Sequence, residues 1–403
     1  MAIGVNARTA FSLLLPEMIA EFSWSRAETA GAFSIGFVIA AILGPVSGIL
    51  LNQFGARAIM PIGTVMMSAG FAATAYVSES WMLYPTFGFL VIGASTVLGY
   101  IGHAATLPLW FQRRRGLAVG LAFSGVGIGA VTVLPIINYI IGADGWRQAC
   151  WVVAIMVLTL LLPLNLIIQR RRPADLGLLP DGDARKADED GNLQSAELPV
   201  GPTLGNALRH PSFWLMAVAA FCVLWMWYAM QVHQTQFLLE TGFSADTALL
   251  ALAVVSAAGV ISQISAGWLA DKIGRESTWT IGCLGFIVCF GASIMLRQSQ
   301  SEWLMWTMVL AQGMFGYGLT VVYASAPADL FNGRQFSTIF GCLSVASSLG
   351  GGAGPFFTGL LFDIDGNYDR AFMLAAGLGF ISIVAMWLAA PRRAHRLNNS
   401  MAV

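Results

Sequence analysis

Ionised side chains cut this chain into long stretches that carry no charge. Eleven gaps between successive Asp, Glu, Lys or Arg residues reach 20 residues or more: 29–56, 58–78, 80–112, 116–143, 148–169, 210–239, 247–270, 277–296, 303–328, 335–362 and 371–391. A hydrocarbon core of about 30 Å needs roughly 20 residues of helix, and lipid offers no partner to the open edge of a strand. The pattern therefore predicts eleven membrane-spanning helices. A twelfth apolar stretch, MAIGVNARTAFSLLLPEM, opens the chain, but Arg8 interrupts it and sixteen residues precede Glu17. At 1.5 Å per residue these reach about 24 Å. A charge at mid-segment, with no small-x-small cleavage site leading into a soluble domain, fits a secretory leader poorly. The expectation is a first transmembrane helix that is short or whose N-terminal half lies upstream; a tilted short helix in a thinned bilayer is the alternative.

Residues 169–212 break the pattern with RRRPADLGLLPDGDARKADEDGNLQSAELPVGPTLGNALRHP, rich in Pro, Gly and charge. This is a linker. It gives an N-terminal six-helix bundle (1–168), a cytoplasmic linker (169–212), a C-terminal six-helix bundle (213–391) and a cytoplasmic tail (392–403). The halves carry a duplication: an offset of 219 aligns Gly48 with Gly267, Gly55 with Gly274, Trp24 with Phe243 and Ser25 with Ser244. The second and eighth spans run the same way, so the repeats are parallel, related by an axis along the membrane normal. With the spans placed, 16 of the 21 Lys and Arg residues fall on one side, among them Arg57, Arg113, Arg170, Arg185, Lys186, Lys272, Arg275 and Arg334. The positive-inside rule puts that side, and both termini, in the cytoplasm.

Composition agrees: 57% of residues are apolar and 10% charged, against about 25% charged in a soluble domain. Net charge is zero, and no basic block marks a nucleic-acid partner. The five cysteines lie in apolar stretches without C-x-x-C spacing or a Cys/His cluster, so no metal site and no cofactor is indicated. The partners are the lipid bilayer and a small molecule.

Two turns at matched positions read GILLNQFGAR (Gly48 to Arg57) and GWLADKIGRE (Gly267 to Glu276). In each, one Gly allows close helix packing, a polar residue ends the helix and a second Gly permits a tight turn. They resemble the G-x-x-x-D-x-x-G-R turn of the major facilitator superfamily. The conformational motif residues this implies are Gly48, Asn52, Gly55 and Arg57, and Gly267, Asp271, Gly274 and Arg275; Asn52 replaces the family Asp in the first copy. EFSWSRAET, WFQRRRGLAVG, GWRQA, RRPADLGLLPDG and GAGPFFTGLLFDIDGNY resemble the bacterial branch of the monocarboxylate transporter family. The resemblance implies an all-α integral membrane fold of twelve helices in two parallel-repeat bundles, residence in a bacterial inner membrane and work as a monomer. Glycines 120, 125, 127 and 129 with Pro135, and 350, 351, 352 and 354 with Pro355, read as close-packed rocking contacts.

All 21 carboxylates fall in loops or at helix ends. The polar groups left inside are therefore informative, because an intramembrane ionisable group is costly and faces a cavity or partner. Arg8 lies near the midplane, where a guanidinium can grip a carboxylate bidentately; the resemblance makes a basic residue in the first helix a substrate contact. Snorkelling of Arg8 to the cytoplasmic surface is the alternative. His103 and His233 are candidates for proton coupling and substrate contact, with neutral packing roles as the bland reading. Monocarboxylate carriers place an Arg four residues before the Gly of the second turn; here that position is Gln263 and the one four residues earlier is Gly259. Gln263 can still hydrogen-bond a substrate, joined by Tyr100, Asn138, Gln312 and Tyr323. Trp81, Tyr84, Trp146, Trp303 and Trp306 read as interfacial anchors.

The expectation is a secondary active transporter moving a small organic anion, a carboxylate first, by alternating access, with proton symport as an extension. An exporter or carrier of neutral or amphipathic small molecules is the main rival. A membrane enzyme lacks a metal motif, paired intramembrane carboxylates or a nucleophile elbow, and a channel suits the duplication less well.

Overall fold

The computed structural model describes residues 1–24, 26–170, 173–182 and 201–389. Expectations for Ser25, Arg171, Arg172, Arg185, Lys186 and the 392–403 tail lie outside these residues. The first span is α1, built of two pieces, Ala2–Thr9 and Phe11–Phe22, that meet at Ala10. There follow α2 (Arg26–Phe54), α3 (Ala56–Thr74), α4 (Ser80–Trp110), α5 (Arg115–Asp144) and α6 (Trp146–Ile167). After the linker come α7 (Pro211–Glu240), α8 (Ala245–Ile273), α9 (Arg275–Ser299), α10 (Glu302–Phe331), α11 (Phe336–Asp365) and α12 (Asp369–Ala389). Among the described residues eleven helices, all but α1, are long and apolar enough to cross a membrane. They coincide with the eleven charge-free gaps, since one energetic rule, the exclusion of charge from hydrocarbon, sets both.

The helices are not uniform. Wide turns of π type occupy Tyr84–Ile92, Val157–Leu161 and Gln312–Gly316. Gly99, at φ −102° and ψ −147°, leaves helical geometry and splits α4 before Tyr100. Such departures are tolerated at membrane depth where neighbouring protein satisfies the freed backbone.

The chain divides into two compact units, each discontinuous. One holds Met1–Arg115, Ile128–Leu204 and Phe331–Cys342; the other holds Gly116–Gly127, Gly205–Leu330 and the chain from Leu343 on. Both α5 and α11 are thus shared between units. In the first unit, Asn165 donates to Thr64 Oγ1 at 3.0 Å and Ser68 to the Ala154 carbonyl at 2.8 Å, joining α3 to α6. Phe11 stacks on Phe87 at 4.1 Å, locking α1 against α4. Glu21 accepts from Trp146 Nε1 and Arg147 Nη1, each at 2.7 Å, and so ties the end of α1 to the start of α6. Trp146, read from sequence as an interfacial anchor, is instead buried by this contact. Trp81 and Trp303 are exposed, as an aromatic belt requires.

In the second unit, Trp279 Nε1 donates to Ser382 Oγ at 3.0 Å, and Ser382 to the Ala219 carbonyl at 2.9 Å, linking α9, α12 and α7. A buried cluster of Phe237, Phe286, Phe290 and Phe372 fills the interior. Trp227 belongs to this packing: it stacks on Phe286 and meets Tyr317 edge-on. Arg297 pairs with Asp369 where α9 ends and α12 begins.

Gly267 sits directly on the backbone of Gly116, so a Cβ there collides with the Gly116 carbonyl. Gly291, on α9, has open space around its Cβ direction. Gly267→Val is therefore expected to destabilise the protein by about 2 kcal/mol through overpacking, whereas Gly291→Ala holds or raises stability. Melting temperatures of the two variants in one detergent check this pair.

Candidate functional site

The first unit positions Arg8 by wedging the opening piece of α1 between α4 and α5. Gly4 lies against Leu98, and Gly129 against Ala2 and Asn6. Gly129 is fourteen residues from the Arg115 end of α5, about 21 Å along the helix. Because α1 runs on to meet Trp146 just past the other end of α5, Arg8 is further still from the Arg115 side. No snorkelling arginine spans that distance. Phe22 is fourteen residues on, another 21 Å or about that. The guanidinium is thus held deep in the span, with its central carbon 6.0 Å from the ring centroid of Phe37 on α2. A cation over an aromatic face is held there by the ring's quadrupole.

Next to it in the same unit is the break in α4. His103 Nδ1 donates to the Gly99 carbonyl at 2.9 Å, and the backbone N–H of His103 reaches the same oxygen at 3.3 Å. The broken turn is satisfied, the tautomer is set with the proton on Nδ1, and Nε2 makes no hydrogen bond among the described residues. Tyr100 opens the second piece of α4 and is half-buried, while Asn138 on α5 is exposed.

The second unit gathers neutral groups. Gln312 Nε2 donates to Gln231 Oε1 at 3.1 Å across α10 and α7. Gln263 is fully buried; its Nε2 reaches Thr320 Oγ1 at 3.5 Å and its Oε1 has no partner among the described residues. Gln312 Oε1 and both amide atoms of Gln234 are in the same condition. Gln234 was not singled out in the sequence, and its spacing of three from Gln231 on one helix was the available signal. Tyr323 donates to Ser347 at 3.2 Å. His233 is engaged on both nitrogens: Nε2 donates to the Pro355 carbonyl at 3.1 Å, and Tyr368 Oη approaches Nδ1 at 3.4 Å. This joins α7 to α11 and to the turn that leads into α12.

The two turn motifs differ in charge. Gly55 and Gly274 both adopt positive φ, 79° and 99°, which only Gly takes without strain. In the second copy, Asp271 accepts from the backbone N–H groups of Gly116 and Leu117 at 2.9 and 3.0 Å, capping the start of α5. Its carboxylate also takes Arg275 Nη1 at 2.8 Å, and Arg275 Nε reaches Asp329 at 2.9 Å. Three charges and a helix N-terminus thus satisfy one another in a buried cluster. Asp329 was missed in the sequence because its partner lies 54 positions earlier and no local spacing links them. In the first copy, Gly48 packs on Ser337 and Gly341 of α11, with neutral Asn52 in place of the carboxylate.

The pattern of the Major Facilitator Superfamily matches residues 1–327. Monocarboxylate transporter 13 of Bos taurus is 25% identical over 383 residues, covering 93% of this chain and 83% of that protein. Monocarboxylate transporter 11 of Homo sapiens is 25% identical over 382 residues, covering 91% and 75%. Among solved structures, the human organic anion transporter MFSD10 is similar with a TM-score of 0.73 at 13% identity over 96% of both chains. The E. coli fucose:proton symporter is similar with a TM-score of 0.71 at 14% identity, again over 96% of both. At such low identity these two structures show the fold alone. Twelve helices, the duplicated glycine turns and the long sequence match agree, and the chain belongs to the major facilitator superfamily of membrane transporters.

Proposed function

We propose that this transporter is a secondary carrier of a small organic anion, a carboxylate, working by alternating access. The observation that carries the reading is Arg8: a guanidinium deep in a span, placed over the Phe37 ring and out of reach of the Arg115 side. Such a charge is retained where it does something, and planar bidentate grip of a carboxylate is what guanidinium geometry suits. Monocarboxylate-transporter relatives support this cargo class. The two bundles at 1–168 and 213–391, the cytoplasmic termini set by the Arg and Lys bias, and a bacterial inner membrane belong to the same proposal.

Proton symport follows from His103, whose Nε2 is left to accept a proton beside the α4 break. Uptake is therefore expected to rise as the external side is acidified. In His103→Gln that pH dependence should vanish while uptake under a fixed substrate gradient persists; initial rates across a series of external pH values decide it. His233, engaged on both nitrogens, is the lesser candidate.

The neutral set in the second unit favours one alternative, a carrier of uncharged polar compounds, since Gln231, Gln234, Gln263 and Gln312 supply only amide groups. Reconstituted vesicles offered labelled monocarboxylates, dicarboxylates and the corresponding amides, with and without a pH gradient, separate the two. Saturable monocarboxylate uptake with counterflow supports the anion carrier; uptake confined to amides overturns it.

A further inference from the structure

An open cleft of about 420 Å³ lies in the first unit, lined by Phe54, Arg57, Ala58, Arg170 and Asp175. Its place in the fold is the α2–α3 turn and the segment just after α6. Both α3 and α6 are membrane spans that terminate here, so the cleft lies at the depth where lipid headgroups meet water. Comparison of the two turn motifs explains why it is basic. In the second copy the arginine is Arg275, buried between Asp271 and Asp329. In the first copy Asn52 stands for Asp271, and the arginine is displaced by one residue to Arg57, the position of Glu276 in the alignment. One residue is about 100° around a helix. Arg57 is accordingly turned out of the internal network; it forms no ion pair among the described residues and faces the cleft.

Arg170 is held from the other side. Its Nη1 donates to the carbonyls of Ile167 and Gln169 at 2.7 and 2.9 Å, which fixes the guanidinium on the C-terminal end of α6. Among the described lining residues, two guanidinium groups and the single carboxylate of Asp175 leave one net positive charge. Phe54 in the lining is more than half exposed, as are Ile167, Ile168 and Leu176, the near neighbours in sequence of Arg170 and Asp175; these make an apolar rim suited to acyl chains and unsuited to water. A soluble anion would use the guanidinium pair and gain nothing from that rim. From the charge balance and the rim together, we infer that this cleft binds the headgroup of a singly anionic phospholipid, its phosphodiester between Arg57 and Arg170 and its acyl chains along Phe54 and the end of α6. The site is independent of the cargo site at Arg8.

Native mass spectrometry of the detergent-purified transporter, titrated with phosphatidylglycerol, phosphatidylcholine or inorganic phosphate, tests this. One phosphatidylglycerol is expected to bind at least about five-fold more tightly than phosphatidylcholine, with Arg57→Gln removing that preference. Arg170→Gln should do the same, and because Arg57 makes no hydrogen bond or ion pair among the described residues, the Arg57 variant retains its fold and keeps the test decisive. Equal affinity for the two lipids, or unchanged phosphatidylglycerol binding in both variants, would overturn the inference. So would inorganic phosphate displacing the lipid at concentrations similar to the lipid's own, which would mark a soluble-anion site.

Discussion

Replacing Arg8 with Gln is expected to lower carboxylate uptake about 100-fold, because two charge-assisted hydrogen bonds to the cargo are lost at once. Gln keeps some of the volume and polarity, so α1 should still pack against Leu98 and Gly129, whose contacts are with Gly4, with the backbone of Ala2 and with the side chain of Asn6. Arg8→Lys is the informative companion. It retains the charge over Phe37 but not the planar fork, and a site built for bidentate recognition should lose much of its rate even so. Initial uptake rates, together with gel-filtration profiles showing intact protein, check both variants. Full activity in Arg8→Gln would remove the anion reading of the cargo.

The second large effect is expected at Asp271. Its carboxylate accepts two backbone N–H groups at the start of α5 and one arm of Arg275. Asp271→Ala leaves both helix donors without that acceptor and Arg275 with Asp329 alone. Breaking a buried pair of this kind costs about 3 kcal/mol, and the melting temperature in detergent should fall accordingly. Asp271→Asn keeps an acceptor but not the charge and is expected to fall between Ala and the parent protein. At the matched position the chain already carries Asn52, so Asn52→Ala should cost distinctly less than Asp271→Ala. If the two alanine variants were equally destabilised, the charge asymmetry between the turns would have no energetic weight.

Much of this architecture is legible in the order of charged and apolar residues. The limits of α7, Pro211–Glu240, fall within a residue of the charge-free gap 210–239, those of α5 are as close, and those of α12 fall within two residues. Lipid excludes charge so strongly that the gaps themselves mark the helices. The duplicated turns were equally plain, since Gly55 and Gly274 hold positions that a β-carbon would strain. What the sequence concealed depends on contacts between distant segments. The break at Gly99, where Val5 and His103 make contact, is marked by no motif. Asp329 becomes part of the Asp271 cluster only because α10 brings it to Arg275. Trp146 looked like an anchoring aromatic until Glu21, 125 positions away, claimed its indole N–H. Among the candidate cargo residues, the structure pairs Gln312 with Gln231 and Tyr323 with Ser347, yet pairing of that kind serves packing and recognition alike. Only the ligand distinguishes those uses.

The direct measurement is therefore equilibrium binding, by isothermal titration of the purified transporter with a short monocarboxylate and with its isosteric amide. The account predicts that the parent protein prefers the carboxylate by about 100-fold and that Arg8→Gln binds both alike. Equal affinity for acid and amide in the parent protein, or a preference for the acid that survives in Arg8→Gln, would contradict it.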